Sequence, residues 1–302
     1  MILVVGASGR LGGLVARQLL ADGVAVRAMS RTPASLTDLE KLGAERIAGD
    51  LRDPASLAAA CQGMDTVFIA THAFNGDRSN SSRAVDDVGN RRLIDAARKA
   101  GARHLVFVSV MGADPKSPVD MFRYKYATEQ YLRASGLGYT ILRPSAYMET
   151  WAHALGDPIV KSGKAMVFGR GVNPINFVSA EDVARFAVFA LADPQARNRI
   201  IEIGGPENVT ETQFVQMIQR ATGKPGKIQH IPLPMMRLLG VVARPFNPAF
   251  SRQCVAGALM DIADMTFDPA EALKLVPMRQ KRLDEVIHSE FGSPAAIAAD
   301  RA

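Results

Sequence analysis

The chain is poor in cysteine, with only Cys61 and Cys254 in 302 residues. They have no short spacing, which argues against a disulfide scaffold or a cysteine-based metal site and fits a reducing, cytoplasmic setting. The histidines His72, His104, His153, His230 and His288 lack the spacing of metal ligands, so no metal is expected. No run of about 18 apolar residues occurs, which excludes an ordinary membrane-spanning helix. Residues 1–5 carry no basic leader, so neither a signal peptide nor a membrane partner is expected. Internal repeats and low-complexity linkers are missing as well. The net charge of +6 is spread along the chain, and its densest cluster, Arg279 to Arg282, is short. Without aromatic interleaving or a nucleic-acid motif, that charge reads as solubility plus attraction for an anionic cofactor, and nucleic acid is not an expected partner.

What is present is a globular composition, 48% hydrophobic and 22% charged, in a chain long enough for one large or two modest domains. Its organising stretch is the first dozen residues. Residues 1–5 form an apolar run suited to a strand buried on both faces. Gly6-Ala-Ser-Gly9-Arg-Leu-Gly12 follows at once, and Leu11, Leu14, Val15 and Leu19 then recur at helical spacing. Glycines where a strand turns into a helix permit a tight turn and let the backbone approach a pyrophosphate. The partly positive helix N-terminus then faces the phosphates. Glycines serving packing alone are the competing reading.

Val24 to Met29 reads as a second strand ending in Ser30-Arg31-Thr32. An acid there would accept hydrogen bonds from the ribose of NAD, but none is present. Ser30 and Arg31 instead suit a 2′-phosphate, which favours NADP(H) over NAD(H). Thr32-Pro33 is expected to cap and start a helix. Further strands are expected over Ala44–Asp50, Asp65–Ala70, His104–Ser109, Tyr139–Leu142 and Arg199–Ile203, with helices between them, including one over Ser82–Lys99. This alternation predicts an α/β fold: a doubly wound parallel sheet of Rossmann type, with ligands beyond the C-terminal strand ends. Candidate cofactor-binding residues at that edge are Gly6, Ser8, Gly9, Arg10, Leu11, Gly12, Ser30, Arg31, Asp50, Leu51, Ala70, Thr71, His72 and Ser109, joined by Lys125 and Pro144.

Met121 to Gly136 reads as a helix closed by glycine. From Gly6 to Gly223 the chain resembles the atypical short-chain dehydrogenase/reductases, and within them the NmrA-like branch. The resemblance rests on G-A-S-G-R-L-G, the Lys125–Glu129 spacing, S-G-L-G-Y-T-I-L-R-P at 135–144 and F-V-S-A-E-D-V-A at 177–184. It implies an NAD(P)-binding domain and hydride chemistry. Full reductases of this kind carry a tyrosine four residues before the lysine, and here that position is Met121. The serine partner expected just beyond the fifth strand is also missing, since Val110-Met111-Gly112 follows Ser109, so the triad is reduced to Lys125. Three readings of Lys125 stay open: it holds the nicotinamide ribose, it acts as acid/base as in isoflavone-reductase-like relatives, or it forms an exposed pair with Glu129 worth a few tenths of a kcal/mol. Tyr147 and Tyr124 are substitute proton donors, Tyr147 being the second catalytic candidate.

Residues 151–174, rich in glycine and proline, are expected to form an excursion over the cofactor. Ser179 should cap a helix, and Thr210-Glu-Thr-Gln213 should form a capping box. From Lys227 on, short apolar helices broken by prolines are expected. Met235, Met236, Leu238, Leu239, Phe246, Phe250 and Met260 could line an apolar pocket, a core or a dimer face. The last ten residues read as a loose tail. The domains implied are an NAD(P)-binding Rossmann domain over 1–150 and 176–226, and a smaller substrate-side lobe over 151–175 and 227–302. Two functions follow from the resemblance. One is an NADP(H)-dependent reductase of a small apolar carbonyl, enone or quinone. The other is a non-catalytic NADP(H)-dependent sensor, regulator or assembly factor. A homodimer or a regulatory protein partner stays open.

Overall fold

A computed structural model describes residues 1–77 and 79–292; the C-terminal stretch read as a tail lies outside the described residues. The chain divides into two compact units, Met1–Pro144 with Val183–Glu202, and Ser145–Asp182 with Ile203 onward. In chain order the first unit runs β1 (Ile2–Val5), α1 (Arg10–Ala21), β2 (Val26–Ser30), α2 (Thr37–Lys41), β3 (Glu45–Ala48), α3 (Pro54–Cys61), β4 (Thr66–Ile69), α4 (Asn90–Lys99), β5 (His104–Val108), α5 (Asp120–Ala134) and β6 (Gly138–Pro144). The second unit takes up β7 (Ala146–Tyr147), α6 (Met148–Ser162), β8 (Ala165–Phe168) and β9 (Pro174–Val178). Helix α7 (Ala180–Ala192) and β10 (Arg199–Ile203) return to the first unit, and β11 (Asn208–Thr210), α8 (Glu211–Thr222), β12 (Ile228–Ile231), α9 (Leu233–Ala243), α10 (Pro248–Ile262), α11 (Ala270–Leu275) and α12 (Leu283–Phe291) complete the second.

Among the described residues, the first unit forms one seven-stranded sheet in the order β10-β6-β5-β4-β1-β2-β3. Strands β1 to β6 pair in parallel, with Ile2 level with both Val26 and Thr66. The order reverses between β1 and β4, which opens a crevice at their C-terminal ends. Apolar runs form these strands because helices cover both faces: every residue of β5 is buried, as are Leu3, Val4 and Val5 of β1. Leu57, Leu93, Ile94, Phe107 and Leu132 pack one face of the sheet.

The second unit is built on a three-stranded sheet, β11-β9-β7, and a parallel pair, β12-β8. Its core gathers Met148, Leu155, Phe177, Phe214 and Val286, with Phe177 edge-on to Phe214 at 5.1 Å between ring centres. The capping box at Thr210 forms as expected, and Ser179 Oγ accepts the Asp182 amide.

Several expectations are corrected. Residues 151–174 are not an irregular excursion, since most of them lie in α6 and β8. The punctuating residues misled: Gly156 lies inside α6 because a Cβ there would come within 2.6 Å of the Phe291 ring, and Pro158 also sits within the helix. The domain boundaries shift too, since residues 203–226 belong with the second unit, where β11 pairs with β9. Thr32 caps nothing with its side chain, and Pro33–Leu36 is a 3₁₀ turn ahead of α2. The short apolar helices broken by prolines do form, with Pro232 ahead of α9, Pro245 between the two helices and Pro248 starting α10.

Candidate functional site

The turn from β1 into α1 is shaped by contacts that only glycine permits. Gly6 has φ +85°, and a Cβ there would lie 3.0 Å from the Ala70 carbonyl oxygen. Gly12 packs against the same turn so closely that a Cβ would lie 2.2 Å from the Gly6 oxygen. Gly9 occupies the N-cap of α1 with extended backbone, φ −82° and ψ 164°, and supplies no side-chain cap to the first-turn amides. No acid lies in that first turn. A cleft of about 300 Å³ opens here, lined by Ser8, Gly9, Arg10, Arg17, Ser35 and Asp38 among others. Uncapped amides, the helix dipole and two arginines suit this end to a phosphate group.

Beside it, the β2 end forms a hydroxyl cluster. Ser30 Oγ donates to Ser8 Oγ at 3.1 Å, lies 3.2 Å from Ser35 Oγ, and accepts the Thr32 amide. Ser30 is buried, while Ser35 and Arg31 are exposed. The exposed groups at this edge are therefore Arg31 and Ser35, and Ser35 lies against the buried Ser30. Ser35 was not anticipated, since it lies past a proline in what read as a plain helix start. Asp50 closes the same edge: Arg52 grips its carboxylate and holds its pKa low, and Leu51 beneath is buried. Leu11 is half-buried on α1. The glycine turn and the hydroxyl cluster fit the phosphates of a dinucleotide.

At the ends of β4, β5 and β6 the side chains are tied to one another. Lys125 on α5 is 3% exposed. Its Nζ donates to the Thr71 carbonyl at 2.7 Å and the Val108 carbonyl at 3.0 Å, and lies 3.5 Å from Asp86 Oδ1. It also sits 4.7 Å from the centre of the Phe107 ring. Burial pulls the ammonium below its usual pKa, against the opposing pull of Asp86 and, less strongly, Glu129. Asp86 is fully buried on a π-helical stretch, Arg83–Gly89, that leads into α4. There its Oδ2 accepts from Ser82 Oγ and the Ala73 amide, and its carbonyl accepts from Thr128 and Asn90 side chains. Such π turns alter the helical hydrogen-bond pattern, and here a main-chain oxygen receives side-chain donors.

Glu129, one turn further along α5, is also fully buried. Ser109 donates to it, and Arg143 on β6 binds both its oxygens at 3.0 and 2.6 Å. The exposed Lys125–Glu129 pair is therefore ruled out, because both side chains point inward to different partners. Nothing in the spacing could have linked Asp86 to Lys125, since the pair is joined only through the tertiary fold. Pro144 is buried at the β6 end, where its carbonyl accepts the Met111 amide. Ala70 and Thr71 are half-buried, and the exposed His72 accepts the Phe74 amide through Nδ1.

Met121 is buried, so the position of the missing tyrosine holds a thioether. Tyr147 lies in the second unit, with its hydroxyl buried and without a hydrogen-bond partner among the described residues. Burial, with a smaller push from Glu149, raises its pKa far above the usual phenol range, which handicaps it as an acid. Tyr124 lines an open groove of about 650 Å³ with Arg91, Arg123 and Tyr131. Among the described residues no group of three or more His, Cys, Asp or Glu is placed to hold a metal ion.

A doubly wound parallel sheet whose first glycine turn presents an uncapped helix start to an anion defines a nucleotide-binding α/β protein. A family model described as NAD(P)H-binding matches residues 6–194, more than half the chain, and the protein belongs to that family, with the build of the atypical short-chain dehydrogenase/reductases. Among its relatives, the photosystem II assembly factor Ycf39 of Synechocystis sp. is 28% identical over 96% of this chain and 90% of its own. The NAD(P)H azoreductase of Xenophilus azovorans is 32% identical over 74% of this chain and 75% of its own. In fold the chain is similar to the NADPH-dependent quinone oxidoreductase QOR2 of Escherichia coli, solved with NADPH, at TM-score 0.80 and 23% identity over 97% of this chain and 100% of that one.

Proposed function

We propose that this protein is an NADPH-dependent reductase whose acceptor is a small, fairly apolar quinone, enone, carbonyl or azo compound that takes its proton from water. The observation that carries this reading is the confinement of Lys125. An ammonium has three donors, and Nζ faces two carbonyls and a carboxylate within 3.5 Å. Lys125 is then a fixed cation that holds the C-terminal ends of β4 and β5 in register beside the crevice. Ser109 is committed to Glu129, and Met121 has no proton to give. With no strong acid at any of the three family positions, an acceptor whose reduced form is protonated by solvent is favoured. The azoreductase relative supports an acceptor of that kind.

When bound, the cofactor supplies a hydride. The backbone of Gly6 to Gly12 holds its pyrophosphate, and Arg31 and Ser35 hold the 2′-phosphate, which makes NADPH the preferred form. Two buried free cysteines suit a reducing, cytoplasmic compartment. A second reading, a non-catalytic NADP(H)-dependent sensor or assembly factor, is favoured by the near full-length match to the Ycf39 relative.

One experiment separates the two. The chain is titrated with NADPH and NADH, and the NADPH-bound form is then screened against naphthoquinones, enals and azo dyes. Turnover with at least one class supports the reductase. Tight NADPH binding with no turnover of any acceptor supports the second reading, and tighter binding of NADH overturns the cofactor assignment.

A further inference from the structure

The second unit presents an apolar surface that its own core does not cover. On α9 and the turn after it, Leu238, Val241, Val242 and Phe246 are 63%, 74%, 56% and 84% exposed. Met235 and Phe250 add to the same region at 43% and 40%. The residues once read as a candidate pocket lining are thus largely turned outward, with Met236 and Met260 alone among them fully buried. Helical spacing places Met235, Leu238, Val241 and Val242 on one stripe. The opposite side of α9 is clamped onto α10. A Cβ on Gly240 would lie 3.3 Å from Val255, one on Gly257 would lie 2.7 Å from Met236, and Ser251 donates to the Gly240 carbonyl at 2.6 Å. The outward stripe is therefore fixed by packing and is not a frayed end.

Charge says what covers it. Residues 212–260 contain no aspartate or glutamate. Arg237 and Arg244, seven residues apart, share the flank beside the apolar stripe, and both are exposed, as are Lys224 and Lys227 nearby in sequence. We propose that this face docks onto an anionic lipid membrane, with Leu238, Val241, Val242 and Phe246 entering the acyl boundary and Arg237 and Arg244 reaching the headgroup phosphates. Interfacial helices combine these same features: an apolar face, basic flanks and modest length. At 11 residues α9 is too short to span a bilayer, and no helix among the described residues is long and apolar enough to do so. A second copy of the chain fits less well. It would bring its own Arg237 and Arg244 into the contact, with no carboxylate from this stretch to meet them.

The test needs no turnover, so it stands or falls apart from the reductase reading. The full chain is sedimented with phosphatidylcholine vesicles, with and without phosphatidylglycerol. Binding is expected only with phosphatidylglycerol and should weaken as salt rises. Arg237→Gln and Arg244→Gln should each weaken it about fivefold. Val241→Asp with Phe246→Asp should abolish it while leaving NADPH affinity and the circular dichroism spectrum unchanged, since both side chains are exposed. Absence of binding to phosphatidylglycerol vesicles overturns the proposal. So does equal binding by the aspartate variant, or a dimer that this variant dissolves in a chain that ignores vesicles.

Discussion

The two compact units treat their interior polar groups differently. In the first, the start of α1 is left without a side-chain cap at Gly9, while the interior charges beneath the strand ends are all paired: Lys125 with Asp86, and Glu129 with Arg143. In the second, α8 starts with a complete capping box at Thr210 and α10 with an Asn247 cap, yet the interior keeps ill-matched groups. Glu211 is buried near the like charge of Asp261, and the Tyr147 hydroxyl has no hydrogen-bond partner among the described residues. Beneath the strand ends of the first unit the charges find partners, whereas two polar groups inside the second do not match their surroundings.

The largest effect expected from breaking this contrast is at Lys125. Lys125→Met should cost about 3–5 kcal/mol of unfolding free energy by leaving Asp86 buried without its counter-charge. Adding Asp86→Asn should restore part of it, which a double-mutant cycle in urea would measure. A loss of turnover with stability intact would instead make the lysine a direct participant.

Glu211 should have the next largest effect. Burial, reinforced by Asp261 and opposed by the Phe168 amide, pushes its pKa up to about 7. Arg170, bound to Asp261 at 3.2 Å, and His230, bound to the Gly169 carbonyl, are the other charged or titratable groups of this region. Because the folded pKa lies above the unfolded one, the folded chain binds the extra proton, and stability should fall as pH rises from about 4.5 to 7. Glu211→Gln should remove that slope and raise stability at pH 8 by about 2–3 kcal/mol. An unchanged pH profile would return the group to an ordinary carboxylate.

The smallest effect belongs to Tyr147. Tyr147→Phe should leave stability unchanged or raise it by about 1 kcal/mol, because the deleted hydroxyl is unsatisfied. Turnover should persist in this variant, and its loss would identify Tyr147 as the proton donor.

The first unit was legible in the sequence because its signals are local. Apolar runs such as His104–Val108 make strands buried on both faces, and Gly6 to Gly12 marks the turn between a strand and a helix. The second unit was not, because its glycines and prolines serve packing. Gly156 makes room for the Phe291 ring within α6, and Pro158 sits in the same helix although such residues usually signal a loop. The site was legible in part for the same reason. The phosphate turn is contiguous, whereas the partners of Lys125 lie at positions 71, 86 and 108, and Glu129 meets Arg143 only where α5 packs back on β6. Such pairings carry no spacing rule. Ser35 escaped notice because a proline-led turn carries it back to Ser30.

The most direct measurement is calorimetric titration of NADPH into the wild-type chain and Gly9→Asp. The extended backbone at Gly9 suits an aspartate N-cap, but a Cβ there would lie 3.3 Å from the Gly6 oxygen, so the variant's melting temperature is measured first and binding is compared only where it is folded. Its carboxylate would occupy and repel the phosphate position at the start of α1. Saturable binding in the wild type with at least tenfold weaker binding in the variant, about 1.4 kcal/mol, is the outcome expected. Equal affinity in both chains, or no binding by the wild type, would show that α1 does not hold the cofactor.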